Sequence, residues 1–141
     1  MVRIVGDILL DHVDKTSNKF RLASDFVVYV DKYRIQAFRG FMTDGASIPR
    51  PFWCFAPPVA GKYLEAAIIH DLLYATHVLD RKTADKIFLE LMIYLGVRKI
   101  KARVMYRIVR MFGQGHWNRG FSIENLRFVK LDIIRVNTTK G

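Results

Sequence analysis

The chain has 141 residues, 51% of them hydrophobic and 26% charged, with a formal charge of +10 and a single cysteine. A chain of this length buries roughly 70% of its unfolded surface without needing a disulfide or metal staple, so residues 1–141 are read as one globular domain rather than a disordered or disulfide-built chain. No run approaches the ~18 apolar residues of a membrane-spanning helix, and residues 1–10 lack the apolar core and cleavage site of a signal peptide.

The positive excess implies attraction to something anionic: nucleic acid, an acidic membrane surface or an acidic protein. Charge alone does not choose among them. The lone Cys54, between Trp53 and Phe55, reads as a buried apolar side chain in a reducing setting.

Residues 1–40 read as β. Phe20-Arg21-Leu22 and Phe26-Val27-Val28-Tyr29-Val30 are rich in β-branched and aromatic residues, and Asp31-Lys32 suits a tight turn into the alternating run from Tyr33 to Phe38. A small antiparallel meander is expected. Residues 2–10 add a strand bent at Gly6-Asp7, and the polar residues 11–19 form a loop.

Residues 41–62 carry Gly45, Pro49, Pro51, Pro57, Pro58 and Gly61, which bar a helix or a central strand. The segment is nonetheless apolar, with Ile48, Phe52, Trp53, Phe55 and Val59. It reads as a packed loop that presents Asp44 and Ser47.

Residues 63–113 read as three helices. The first covers about 63–76. The second starts from Asp80 as N-cap and stops at Gly96. The third, about 99–112, is basic and amphipathic and stops at Gly113. Gly115-His116-Trp117 suggests a further turn. The apolar run in residues 126–136 fits a last strand or a short helix, and its periodicity does not decide between them. The expected class is α+β: a small antiparallel β-meander, then an α region of three helices.

The chemically capable residues cluster on the first helix. In Ala66-Ala67-Ile68-Ile69-His70-Asp71-Leu72-Leu73-Tyr74, His70 and Tyr74 stand four apart and share a face, with Asp71 beside it. A histidine can serve as a general base near neutral pH. A carboxylate can hold a hard cation such as Ca²⁺. A second carboxylate, Asp85 at the start of the second helix, can orient the histidine by accepting its other N–H. The competing reading is structural: His70 and Asp71 hydrogen-bond within the core and pin the 41–62 loop.

Asp44, in Thr43-Asp44-Gly45-Ala46-Ser47, is an oxygen ligand delivered by a loop or an Asx-turn. Thr43, Gly45 and Ser47 would support that loop. Ser47 lacks the second glycine of a nucleophile elbow. His77 extends the cluster or meets the end of the helix dipole, and nothing around His12 or His116 promotes them. On the third helix Lys99, Arg103, Arg107 and Arg110 form a candidate surface for anionic headgroups or nucleic acid.

Gly40-Phe41-Met42-Thr43-Asp44-Gly45-Ala46-Ser47-Ile48-Pro49-Arg50, then Ala66-Ala67 with His70-Asp71-x-x-Tyr74, then Arg81 with Ala84-Asp85 and Phe88, and Met105-Tyr106 with Val109-Arg110 and Phe112-Gly113 together resemble domain-of-unknown-function family 1353. The resemblance covers about residues 20–117. It implies a phage or prophage origin, other phage proteins as partners, and a place in the host cytoplasm or the virion. It implies no activity.

A more local resemblance, over residues 66–88, is to the phospholipase A2 superfamily, with His70-Asp71-x-x-Tyr74 on one helix and Asp85 on the next. It implies a Ca²⁺-dependent hydrolase of an ester such as a phospholipid. His70 would be the base, Asp71 (with Asp44) the calcium ligand, and Tyr74 and Asp85 the supports of the histidine. The glycine-rich calcium loop of that superfamily is absent. The alternative is a non-enzymatic virion, assembly or host-interaction protein in which the same residues are structural.

Overall fold

In the chain order of the computed structural model, which describes residues 2–6, 10–12, 20–43 and 64–134, six short strands precede four helices and a seventh strand follows them among the described residues. The strands are β1 (Val2–Val5), β2 (Leu10–His12), β3 (Phe20–Leu22), β4 (Phe26–Val30), β5 (Tyr33–Ala37) and β6 (Met42–Thr43). The helices are α1 (Leu64–Thr76), α2 (Arg81–Tyr94), α3 (Lys99–Phe112) and α4 (Gln114–Gly120). A 3₁₀ segment, Ile123–Phe128, leads into β7 (Val129–Ile133). The class is α+β.

The strands do not form one meander. They divide into an antiparallel four-stranded sheet, β1-β4-β5-β7, and an antiparallel three-stranded sheet, β2-β3-β6. The expected β4–β5 hairpin is present, with Val30 opposite Tyr33 and Asp31 in the left-handed region at φ +53°. Phe20–Leu22, however, belongs to the second sheet. Asp11 and His12, expected in a loop, pair with Arg21 and Phe20. A strand ladder is made by backbone groups, so polar side chains do not forbid it.

Alternation sets the burial of β4: Phe26, Val28 and Val30 are buried, and Val27 and Tyr29 only partly. This is the pattern of a sheet with one covered face. The cover includes α2, which lies against β1 and β4.

Helix α1 is the centre of the helical part. Every residue from Ala66 to Thr76 is buried, as a helix apolar on all sides must be. Its end at His77 is left-handed, φ +51°. The His77 ring stacks on Trp117 at 3.7 Å and on Phe121 at 4.7 Å, and its Nε2–H donates to the Trp117 carbonyl at 3.0 Å.

Three residues later Asp80 caps α2, accepting from the Thr83 backbone N–H at 3.2 Å and from the Thr83 hydroxyl at 2.5 Å. Such a cap contributes about 1 kcal/mol. The short link makes α1 and α2 a packed hairpin, and α3 packs on α2.

Two further expectations are amended at the C-terminal end. The turn expected around Gly115–Trp117 is helix α4. Gly113 leaves α3 with right-handed angles (φ −78°, ψ −12°), so the chain continues to wind, and Trp117 packs edge-on against Tyr74 at 5.1 Å. Within the ambiguous run of residues 126–136, the described residues are partly helical and partly extended. Its 3₁₀ turn ends at Phe128, and β7 then joins the free edge of β5 with Val129 opposite Ala37.

Candidate functional site

The α1–α2 hairpin places His70, Tyr74 and Asp85 against one another. His70 and Tyr74 are one turn apart on α1, and Asp85 faces them from the second turn of α2. Asp85 Oδ1 accepts from His70 Nε2 at 2.7 Å and from the Tyr74 hydroxyl at 2.6 Å. Its Oδ2 accepts from Arg110 Nη1, on α3, at 2.8 Å, and Arg81 Nη1 lies 3.5 Å away. The side chains of His70 and Asp85 are both fully buried. The His70 ring lies between Tyr74 (centroids 4.3 Å) and Phe88 (4.5 Å, stacked).

The electrostatics follow from that shell. Burial alone would push the Asp85 carboxyl up, but the bonds from His70, Tyr74 and Arg110 outweigh it and hold it below the usual carboxylate range. Asp85 is therefore an ionised acceptor, so His70 Nε2 carries the proton it shares with Oδ1. Burial first, and then the adjacent Asp85 charge, push the Tyr74 phenol well above its ordinary value. It remains a neutral donor.

His70 Nδ1 is buried and has no hydrogen-bond partner among the described residues. In the tautomer that carries its proton on Nε2, Nδ1 is left with a lone pair. A buried polar atom left unpaired in this way calls for an explanation.

Two arginines complete the centre. Arg81 stands one turn before Asp85 on α2, and its guanidinium also donates to the Val109 and Arg110 carbonyls at 3.1 and 3.2 Å. It thereby gives the Val109 carbonyl, which already accepts from the Gly113 N–H at 2.8 Å, a second donor, and ties the last turn of α3 to α2. Gly113 sits against the same cluster. A Cβ there would come within 2.7 Å of the Tyr74 hydroxyl and 3.2 Å of Arg81 Nη1, so the close approach of α3 requires glycine at this position.

Asp71, next to His70 in sequence, points elsewhere. Its carboxylate accepts from His116 Nε2, on α4, at 3.3 Å, with side-chain exposures of 10% and 30%. Asp44, Gly45 and Ser47 lie outside the described residues. So does the Thr43 side chain, although the Thr43 backbone pairs with Phe20 in β6. Lys99, Arg103 and Arg107 are exposed on α3. Arg110 is not part of that surface group: its guanidinium turns inward to Asp85.

Among the described residues, no group of three or more His, Cys, Asp or Glu is placed to hold a metal. Calcium takes six to eight oxygen ligands. Of the expected ligands only Asp71 is described, and it is engaged by His116. The described residues therefore do not make a calcium site.

Sequence reasoning missed the parts of this site that come from tertiary structure. Arg81 carried a local signal, since it stands four residues before Asp85 on one helix face. Arg110 and His116 carried none, because each reaches its carboxylate from a helix packed on from elsewhere.

Over residues 20–109 the chain matches the family described as "Protein of unknown function (DUF1353)". It is similar to "Uncharacterized protein y4iH" of Sinorhizobium fredii (strain NBRC 101917 / NGR234), 36% identical over 110 residues, covering 74% of this chain and 44% of that protein. It is also similar to "Uncharacterized protein y4jT" of the same strain, 37% identical over 75 residues, covering 52% of this chain and 22% of that protein. The chain thus spans less than half the length of each of these relatives. No solved structure matches it.

Proposed function

The chain belongs to this family of unknown function, and from its own site we propose that it is a hydrolase whose general base is His70, held by Asp85. One observation carries the reading: Nε2 is fixed to a buried carboxylate, while the lone pair on Nδ1 has no partner among the described residues. That is the arrangement of an oriented base, in which the carboxylate sets the tautomer and stabilises the imidazolium that forms.

In the proposed reaction Nδ1 takes a proton from water as the water oxygen attacks an ester carbonyl carbon. The tetrahedral intermediate then expels the alcohol, which leaves with that proton. Tyr74 and the two arginines are positioning residues that hold Asp85 ionised and in place. The local resemblance to the phospholipase A2 superfamily makes phospholipid the first ester to assay, with Ca²⁺ supplied in one arm and chelated in another.

Complete burial of both His70 and Asp85 favours a second reading. In it the network is a polar fastening of three helices in a non-enzymatic protein, such as a virion, assembly or host-interaction component. Ester hydrolysis by the purified chain separates the two. On the first reading, wild type cleaves a fluorogenic phospholipid or a nitrophenyl ester, and His70→Asn abolishes turnover while retaining a cooperative melt. Wild-type rates equal to the blank in both calcium arms, or an unchanged rate in His70→Asn, would leave the fastening reading standing.

A further inference from the structure

Helix α3 has two apolar faces. The inner one, Ala102, Met105 and Val109, is buried in the core. Ile100, Val104 and Met111 fall within about 40° of one another on the opposite side, at 100° per residue. They are 80%, 45% and 72% exposed. Arg107 lies in the same stripe, Lys101 and Arg103 flank it, and all three are exposed.

A surface helix ordinarily gives its apolar stripe to the core and polar residues to water. Here the water side is itself apolar and cationic. The surrounding sequence continues the bias: from Leu91 to Ile123 there are seven Lys or Arg and no Asp or Glu, in a chain with 13 acidic residues. At the start of α3 a depression of about 640 Å³ is lined by Arg98, Lys99, Ile100, Lys101, Val104 and Met105.

We propose that this outer face of α3 docks on the surface of an anionic phospholipid bilayer. Ile100, Val104 and Met111 enter the boundary between headgroups and acyl chains, and Lys99, Lys101, Arg103 and Arg107 meet the headgroup phosphates. A basic helix with apolar residues set among its cations is suited to lie in that interface. The combination selects a bilayer over nucleic acid. A phosphate backbone would engage the cations but leave Ile100 and Met111 in water. The docking does not depend on the role of His70.

Flotation of the full chain with phosphatidylglycerol-containing or pure phosphatidylcholine vesicles tests it. The chain should float with the anionic vesicles and not with the neutral ones. Ile100→Ser with Met111→Ser, which leaves charge unchanged, should weaken partitioning roughly tenfold. Arg103→Glu with Arg107→Glu should weaken it by more than about twenty-fold, since each cation near an anionic leaflet contributes about a factor of five. These positions are exposed, so both variants should melt as wild type does, and His70→Ala should float as wild type does. The proposal is overturned by no flotation with anionic vesicles, by equal flotation with neutral ones, or by a serine pair that binds as tightly as wild type. It is also overturned if duplex DNA displaces the chain and binds it with an affinity indifferent to the serine pair.

Discussion

Two histidine–aspartate pairs lie side by side in this protein and differ in almost every physical respect. His70–Asp85 is 2.7 Å long and fully buried on both sides. Its carboxylate is also held by a tyrosine and two arginines drawn from three helices. His116–Asp71 is 3.3 Å long and partly exposed, 30% and 10%. The two α1 members are adjacent in sequence, yet a step of 100° around the helix sends them to different neighbours: His70 to α2, Asp71 to α4. An ion pair in water contributes little, whereas a buried one whose partners are all present becomes costly to break. The first pair should therefore govern the fold, and the second should not.

The largest effect should come from Asp85→Ala, which leaves Arg81 and Arg110 without their carboxylate and His70 without its acceptor. Breaking a buried pair in this way costs about 3–5 kcal/mol, visible as a large drop in the urea midpoint. A loss below 1 kcal/mol would show that the network does not fasten the helices. The same residue sets an acid limit. Because the folded state holds the Asp85 carboxyl below its ordinary range, its contribution is present above the unfolded value of about 3.9. It is lost as pH falls through the lower folded value. Urea midpoints measured from pH 6 downward should fall below about pH 4, and Asp85→Asn should flatten that part of the profile.

Tyr74→Phe comes next. It removes one donor to a charged acceptor while keeping the ring packing against His70 and Trp117, and should cost about 1.5–3 kcal/mol. Gly113→Ala tests the same centre from the side of α3. Its methyl would press on the Tyr74 hydroxyl and Arg81, and overpacking of this kind costs about 1–3 kcal/mol. A neutral Gly113→Ala would show that the close approach of α3 to Tyr74 and Arg81 does not depend on glycine.

Much of this was legible in the residues, because local rules wrote it. The α3 boundaries follow from a basic amphipathic run closed by Gly113, and the start of α2 from the Asp80 cap. Strand β4 follows from β-branched and aromatic residues, and the meeting of His70, Tyr74 and Asp85 from i,i+4 spacing plus a short hairpin link. What was not legible depends on partners distant in sequence. Leu22 and Val28 look alike locally, but strand pairing assigns them to different sheets. Arg110 reads as one more cation on a basic face until the packing of α3 on α2 turns it to Asp85. Helix α4 holds two glycines in seven residues, a poor helix by propensity, and is kept by Trp117 against His77 and Tyr74.

The smallest effect should come from His116→Ala. The pair it deletes is longer and partly wet, and a contact of that kind contributes about 0–1 kcal/mol. Asp71 would then keep a carboxylate that is one-tenth exposed, at the edge of the core where water can take the place of the imidazole. A midpoint within about 1 kcal/mol of wild type, beside a multi-kcal loss in Asp85→Ala, would confirm that sequence neighbours on α1 belong to two separate electrostatic systems. A His116→Ala loss as large as that of Asp85→Ala would join them into one, with α4 as part of the central fastening rather than a lid on its edge.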